Sequence, residues 1–138
     1  MKLLCFQAKR FRWKTHSKTF PDVPDQDVDE EMRETVVVFV HAEVSDDEAR
    51  KSPVLRQSLK HIKWLANKRN LRNIVLHSFA HLGGQTAPPN TAESFINTLA
   101  RRLRETGYEV KITPFGYFCE WDLNVYGESL AKVWKEIH

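Results

Sequence analysis

The chain has 138 residues, 41% hydrophobic and 28% charged, with 21 Lys+Arg against 18 Asp+Glu for a formal net charge of +3. This excludes a disordered or collagen-like chain, and the length gives one domain, residues 1–138, able to close a core without staples. No apolar run approaches a membrane span, no signal-peptide cleavage pattern follows residues 1–8, and Cys5 and Cys119 stand outside any CxxC spacing, so the expectation is a soluble cytoplasmic protein with no membrane contact, metal or cofactor.

The small net charge hides a polarised chain. Residues 1–20 carry six bases and no acid, residues 21–48 carry eleven acids and only Arg33, and residues 49–138 carry 14 bases and 7 acids, giving blocks of +6, −10 and +7. Basic blocks follow a polyanion's phosphates, and the acidic stretch must lie away from that face or fold against it. We expect it to lie away.

In chain order, Leu3-Leu4-Cys5-Phe6 reads as a buried strand, and Phe11 and Trp13, alternating with Arg10, Arg12 and Lys14, continue it or form its hairpin partner. A polar loop with two prolines follows at 21–31. The β-branched run Val36-Val37-Val38-Phe39-Val40 within residues 35–44 is too apolar for a one-faced strand and is placed centrally in a sheet. Ser52-Pro53 reads as N-cap and first residue of a helix burying Leu55, Leu59, Ile62 and Ala66. Asn73-Ile74-Val75-Leu76-His77 is a short buried strand, and 78–90 a loop. Asn90 and Glu93 suggest a capping box for a helix burying Ala92, Phe95, Ile96, Leu99 and Leu103 and stopping at Gly107. Residues 108–113 and 118–125 read as strands joined across Pro114-Phe115-Gly116-Tyr117, and Leu130, Val133, Trp134 and Ile137 give a final helix. The order β-β-α-β-α-β-β-α predicts an α/β fold of α+β type, a mixed β-sheet with helices packed against it.

Few positions carry chemistry. His77 and His81 are four apart, but the spacing runs from a strand into a loop and not along a helix, and only Cys119 would add a ligand. Ser78 beside His81 lacks a nucleophile elbow and a neighbouring acid, and Cys119 reads as a buried thiol more readily than as a nucleophile. More informative are Phe79-Ala80-His81-Leu82-Gly83-Gly84 and Pro114-Phe115-Gly116-Tyr117. Both follow predicted strands, where freed backbone amides face a ligand or simply make a turn.

These two loops, with Phe118 after the second and Gly127-Glu128-Ser129-Leu130-Ala131 further on, resemble the N-terminal editing domain of archaeal threonyl-tRNA synthetase. The resemblance runs from end to end, is most specific in the two loops and is weakest over residues 15–34. It implies a D-aminoacyl-tRNA deacylase-like fold, a homodimer, and hydrolysis of serine mischarged on threonine tRNA. The synthetase catalytic module would work in cis or in trans, and the chain would be a freestanding module or an excised domain. A synthetic site distinguishes threonine from serine only by a methyl group, worth about 1–3 kcal/mol, so accuracy needs a second site that admits serine and excludes threonine.

By the same resemblance, main-chain groups at Ala42, Glu43 and Ser78, the loop Phe115, Gly116, Tyr117 and Phe118, and Cys119 line a pocket for the seryl group and terminal adenosine. The catalytic set is Phe79, Ala80, His81 and Lys132, with backbone amides stabilising the oxyanion and the 2′-hydroxyl of the adenosine taking part. Arg10, Arg12, Lys60, Lys63, Arg101, Arg102 and Arg104 become candidates for tRNA phosphates. Two positions depart from the family: many members have lysine where this chain has Cys119, and glutamate where it has Lys132. The expectation is that Lys132 reaches the site from the last helix in place of the missing lysine. A D-aminoacyl-tRNA deacylase would share the fold, but the chain has no Gly-Pro pair; a non-catalytic tRNA-binding or assembly module is the other alternative.

Overall fold

The computed structural model describes the backbone at residues 1–43 and 48–138 and the side chains at 1–43 and 52–138. Residues 1–20 contain neither glycine nor proline, so nothing interrupts the first extended run. It forms one strand, β1 (Lys2–Lys18), which joins the two segments left open between continuation and hairpin. β2 (Asp29–His41) pairs antiparallel with it from Lys2↔His41 to Lys14↔Asp29; Val44, at the end of the expected strand, lies outside the described residues.

The inward parity switches along this pair. Leu4, Phe6 and Ala8 share a core with Phe11 and Trp13, and Phe39 and Val37 share it with Met32. Perfect alternation would put these groups on opposite faces. The switch coincides with a positive φ of 48° at Glu34 and a β-bulge between Ala8 and Arg10 in the pairing of β1 with β5 (Tyr117–Val125). A bulge increases local twist. The sheet therefore curls, and the far half of β1 carries β5 over its second face.

β2 runs parallel to β3 (Asn73–Ser78) through α1 (Glu48–Asn67), and β3 runs parallel to β4 (Glu109–Ile112) through α2 (Pro89–Glu105). The order is β4-β3-β2-β1-β5, with β6 (Lys132–Glu136) pairing the first half of β1 while β5 pairs the second. The two strands expected on either side of the Pro114 loop thus lie at opposite edges, and that loop crosses the end of the sheet. Both helices cover one face, where Leu3, Val38, Ile62, Leu76, Phe95 and Leu99 close the larger core. The mixed sheet with packed helices is as expected. Among the described residues no helix is long and apolar enough to cross a membrane.

Three local expectations are corrected. The segment read as a final helix is a 3-10 turn (Ser129–Ala131) followed by strand β6. In so short a stretch Val133 and Ile137 fit both periods, and pairing with β1 satisfies an edge a helix would leave open. Pro53 lies inside α1, so Ser52 is not its N-cap. α2 begins at Pro89, one residue before the expected cap, without a side-chain cap; Asn90 Oδ1 accepts only from the Thr91 amide at 3.0 Å. Proline at the first position has no amide to satisfy.

The acidic segment is corrected as well. It folds against the basic strand: Arg10 reaches Glu31 and Asp122 at 2.5 and 2.7 Å, Arg12 grips Asp29 through two hydrogen bonds of 2.8 and 2.6 Å, and Lys18 pairs with Asp25. The Arg12 and Arg10 side chains hold the Asp29 and Glu31 carboxyls below the usual carboxylate range. The first two charge blocks largely cancel across a strand pair.

Candidate functional site

The carboxyl end of β3, the start of β5 and the loop after β4 open onto a cavity of about 380 Å³. β3 ends at Ser78, and the amide of Phe79 still donates to Val40 O at 3.0 Å. Beyond that the chain leaves the ladder. Among the described residues no protein acceptor takes the amides of Ala80 and His81. On the opposite wall, Thr113 N–H donates to Leu76 O at 3.1 Å and Gly116 O accepts from Thr19 at 2.7 Å. Gly116 has a φ of +82°, and a Cβ there would stand 2.7 Å from Val23 Cγ2, so the turn requires glycine.

The sequence-predicted residues Ser78, Phe79, Ala80, His81 and Phe115 through Cys119 all line this cavity. His81 is exposed at the rim, with its ring 5.2 Å from that of Phe79. Burial pushes the Cys119 thiol up, so it is protonated at neutral pH and unsuited to nucleophilic attack. Among the described residues there is no cluster of three metal-ligating side chains.

Three predicted residues lie elsewhere. Ala42 and Glu43 stand behind the wall: Ala42 O accepts from the amide of Ala87, and Glu43 bridges to Thr86. Only Ala87 and Thr86 reach the cavity. Lys132 is on β6, not a helix; its ammonium donates to the carbonyls of Tyr126, Gly127 and Glu128 at 2.9, 3.2 and 3.4 Å, and it does not line the cavity. That corrects its expected reach into the site.

The loop is fastened from behind. Leu82 N–H donates to His41 Nδ1 at 3.2 Å, which places the ring proton on Nε2, 3.2 Å from Thr86 Oγ1. Burial lowers the His41 pKa. Lys2 Nζ donates to Gly83 O at 3.2 Å and to Glu43 Oε2 at 2.5 Å, and the terminal ammonium of Met1 donates to Glu43 Oε1 at 2.6 Å. Burial alone would raise the Glu43 pKa; these two cations outweigh it and the net shift is downward. A Cβ on Gly84, with φ +78°, would lie 2.9 Å from Glu43 Oε2 and Lys2 Nζ. The sequence reading missed His41 because an imidazole inside an apolar strand signals burial, not the loop it holds.

His77 and Trp121 are further cavity residues that the reading of the motifs did not place there. His77 Nδ1 lies 2.8 Å from Thr113 Oγ1, and burial lowers its pKa to about 4, so the ring is neutral near pH 7. Among the described residues no Lys, Arg, Asp or Glu lines the cavity. Its lining offers main chain, hydroxyls, a thiol, two imidazoles and aromatic rings.

A cavity at the carboxyl ends of parallel strands, closed by loops, is where an α/β sheet takes a small ligand. The fold is an α/β fold of the D-aminoacyl-tRNA deacylase type, with the cavity at its loop end. The c-Myc DNA unwinding element binding protein has the same fold, with a TM-score of 0.71 at 15% identity, covering 100% of this chain and 99% of that one. The chain belongs to the Archaea-specific editing domain family of threonyl-tRNA synthetase, whose model matches residues 1–137. It is 31% identical over 139 residues to a threonine–tRNA ligase of Hyperthermus butylicus, which covers 96% of this chain, and 30% identical over 138 residues to one of Methanosphaerula palustris, which covers 99%. In both cases the chain spans 22% of the relative's length.

Proposed function

We propose that this chain is a proofreading ester hydrolase that removes serine mischarged on threonine tRNA and spares threonine. The observation that carries the reading is the cavity itself, lined in large part by the two loops and, among the described residues, by no Lys, Arg, Asp or Glu. On this reading, main chain close to the seryl side chain excludes the extra methyl of threonine. The amides of Ala80 and His81 supply donors for the oxyanion of the tetrahedral intermediate. The 2′-hydroxyl of the terminal adenosine, which the family resemblance implicates, orients the attacking water.

The partner is the acceptor end of threonine tRNA, with a synthetase module in cis or in trans and the cytoplasm as the place of work. Arg10, Arg12 and Arg102 are paired with acids and Arg104 donates to Val110 O, so Lys60 and Lys63 on α1 and Arg101 on α2 are the better phosphate contacts from the candidates. Exposed Trp134, Trp121 and Phe118 on strands that edge the helix-free face support a homodimer closed over that face.

Incubation with seryl- and threonyl-tRNA of threonine specificity tests the reading. Release of serine alone is expected, and a terminal 2′-deoxyadenosine should abolish it. Equal release of both amino acids overturns the specificity; binding without release favours the non-catalytic module.

A further inference from the structure

The cavity wall is uncharged, yet the aminoacyl ester proposed for it brings one formal charge, its α-ammonium. A buried cation needs acceptors or aromatic faces. His77, only 4% exposed, offers the first. Its Nδ1 is engaged with Thr113 Oγ1, while Nε2 has no protein partner. Among the described residues the sealed side-chain polar atom without a partner is His61 Nε2 and not this one, so His77 Nε2 is reached from outside, through the cavity its ring lines. Around the imidazole stand Phe39, Phe79 and Trp121, with ring centroids 5.2, 6.2 and 5.1 Å away, and Phe79 lies 5.7 Å from Trp121.

We propose that His77 Nε2, with the rings of Phe79 and Trp121, forms a subsite for a primary ammonium group, the α-ammonium of the bound aminoacyl ester. The proposal rests on the aminoacyl-ester reading given above. Ammonium binding selects the tautomer in which Nδ1–H donates to Thr113 Oγ1 and the Nε2 lone pair accepts from the cation. Burial keeps the ring neutral, so it does not repel the ligand's charge. The protonated thiol of Cys119 adds no opposing charge to this wall.

The test uses two probes: serine joined by an amide to 3′-amino-3′-deoxyadenosine, and the same compound with hydroxyl in place of the α-amino group. The protein should bind the first at least about tenfold more tightly, the factor of one hydrogen bond to a charged group. His77→Phe should lose that preference and His77→Gln, which keeps an acceptor, should retain part of it. Equal affinities in the unsubstituted protein overturn the subsite but leave the aminoacyl reading standing. Failure of both probes to bind overturns that reading and the subsite with it, and a preference unchanged in His77→Phe overturns the assignment to His77. Should His77→Phe not fold, the 15N signal of His77 Nε2 in the unsubstituted protein decides: it moves with the ammonium probe alone, or the proposal fails.

Discussion

The loop over residues 79–87 has two sides built on opposite principles. Its front, toward the cavity, is met by aromatic rings, hydroxyls and main chain without a charged side chain. Its back is gripped by Lys2, Glu43, the terminal ammonium and His41. Formal charges hold the backbone in place, and the backbone so held does the recognising. The division follows from energetics: a charged wall would have to be desolvated at every binding event, whereas a charge paired behind the wall is desolvated once, on folding.

Breaking the back should have the largest effect. Glu43→Ala takes from Lys2, which is nearly buried, the nearer of its two carboxylates, leaving Glu136 at 3.9 Å, and removes the anchor behind Gly83 and Gly84. We expect a loss of about 2–3 kcal/mol in urea unfolding and deacylation reduced more than stability alone accounts for. A variant that unfolds like the parent would show that the clasp does not hold the loop.

Acid attacks both sides at once. An unfolded histidine titrates near 6.5, and folded His77 near 4, so below pH 6.5 the unfolded chain takes up a proton the folded chain refuses. Stability from this group is full above pH 6.5 and is lost as pH falls toward 4, amounting to about 2 kcal/mol between pH 7 and pH 5. His41 acts in the same direction. Comparing urea midpoints at the two pH values in the parent and in His77→Phe isolates the His77 share; identical slopes would remove it.

The two sides also differ in how far the sequence revealed them. The front was legible in two loops, Phe79 to Gly84 and Pro114 to Tyr117, because each is contiguous and follows a strand, and the family resemblance extended it to Ser78, Phe118 and Cys119. Trp121 was not. It reaches the cavity because the face switch at Ala8 and Glu34 curls the sheet and brings β5 across, a long-range consequence of one bulge and one positive φ. His41 and Glu43 were hidden for a related reason: the contacts that define their role join residues about 40 apart in the chain. The order of strands and helices up to β5 was readable from periodicity, while β6 was not, since its pairing with β1 outweighs a pattern that fits helix and strand alike.

The smallest effect is expected at the last of the three residues that the resemblance placed in the site and the structure places outside the cavity. Lys132 is tied to three carbonyls of the turn at Tyr126, Gly127 and Glu128, a corner where Arg69 stacks 3.8 Å from the Tyr126 ring and pairs with Glu128. Lys132→Met leaves those carbonyls to water at an exposed position, so deacylation of seryl-tRNA and its discrimination against threonyl-tRNA should be unchanged. A fall in rate with serine discrimination altered would mean that a charged side chain does serve the front of the loop, and the division between a neutral face and a charged back would not hold.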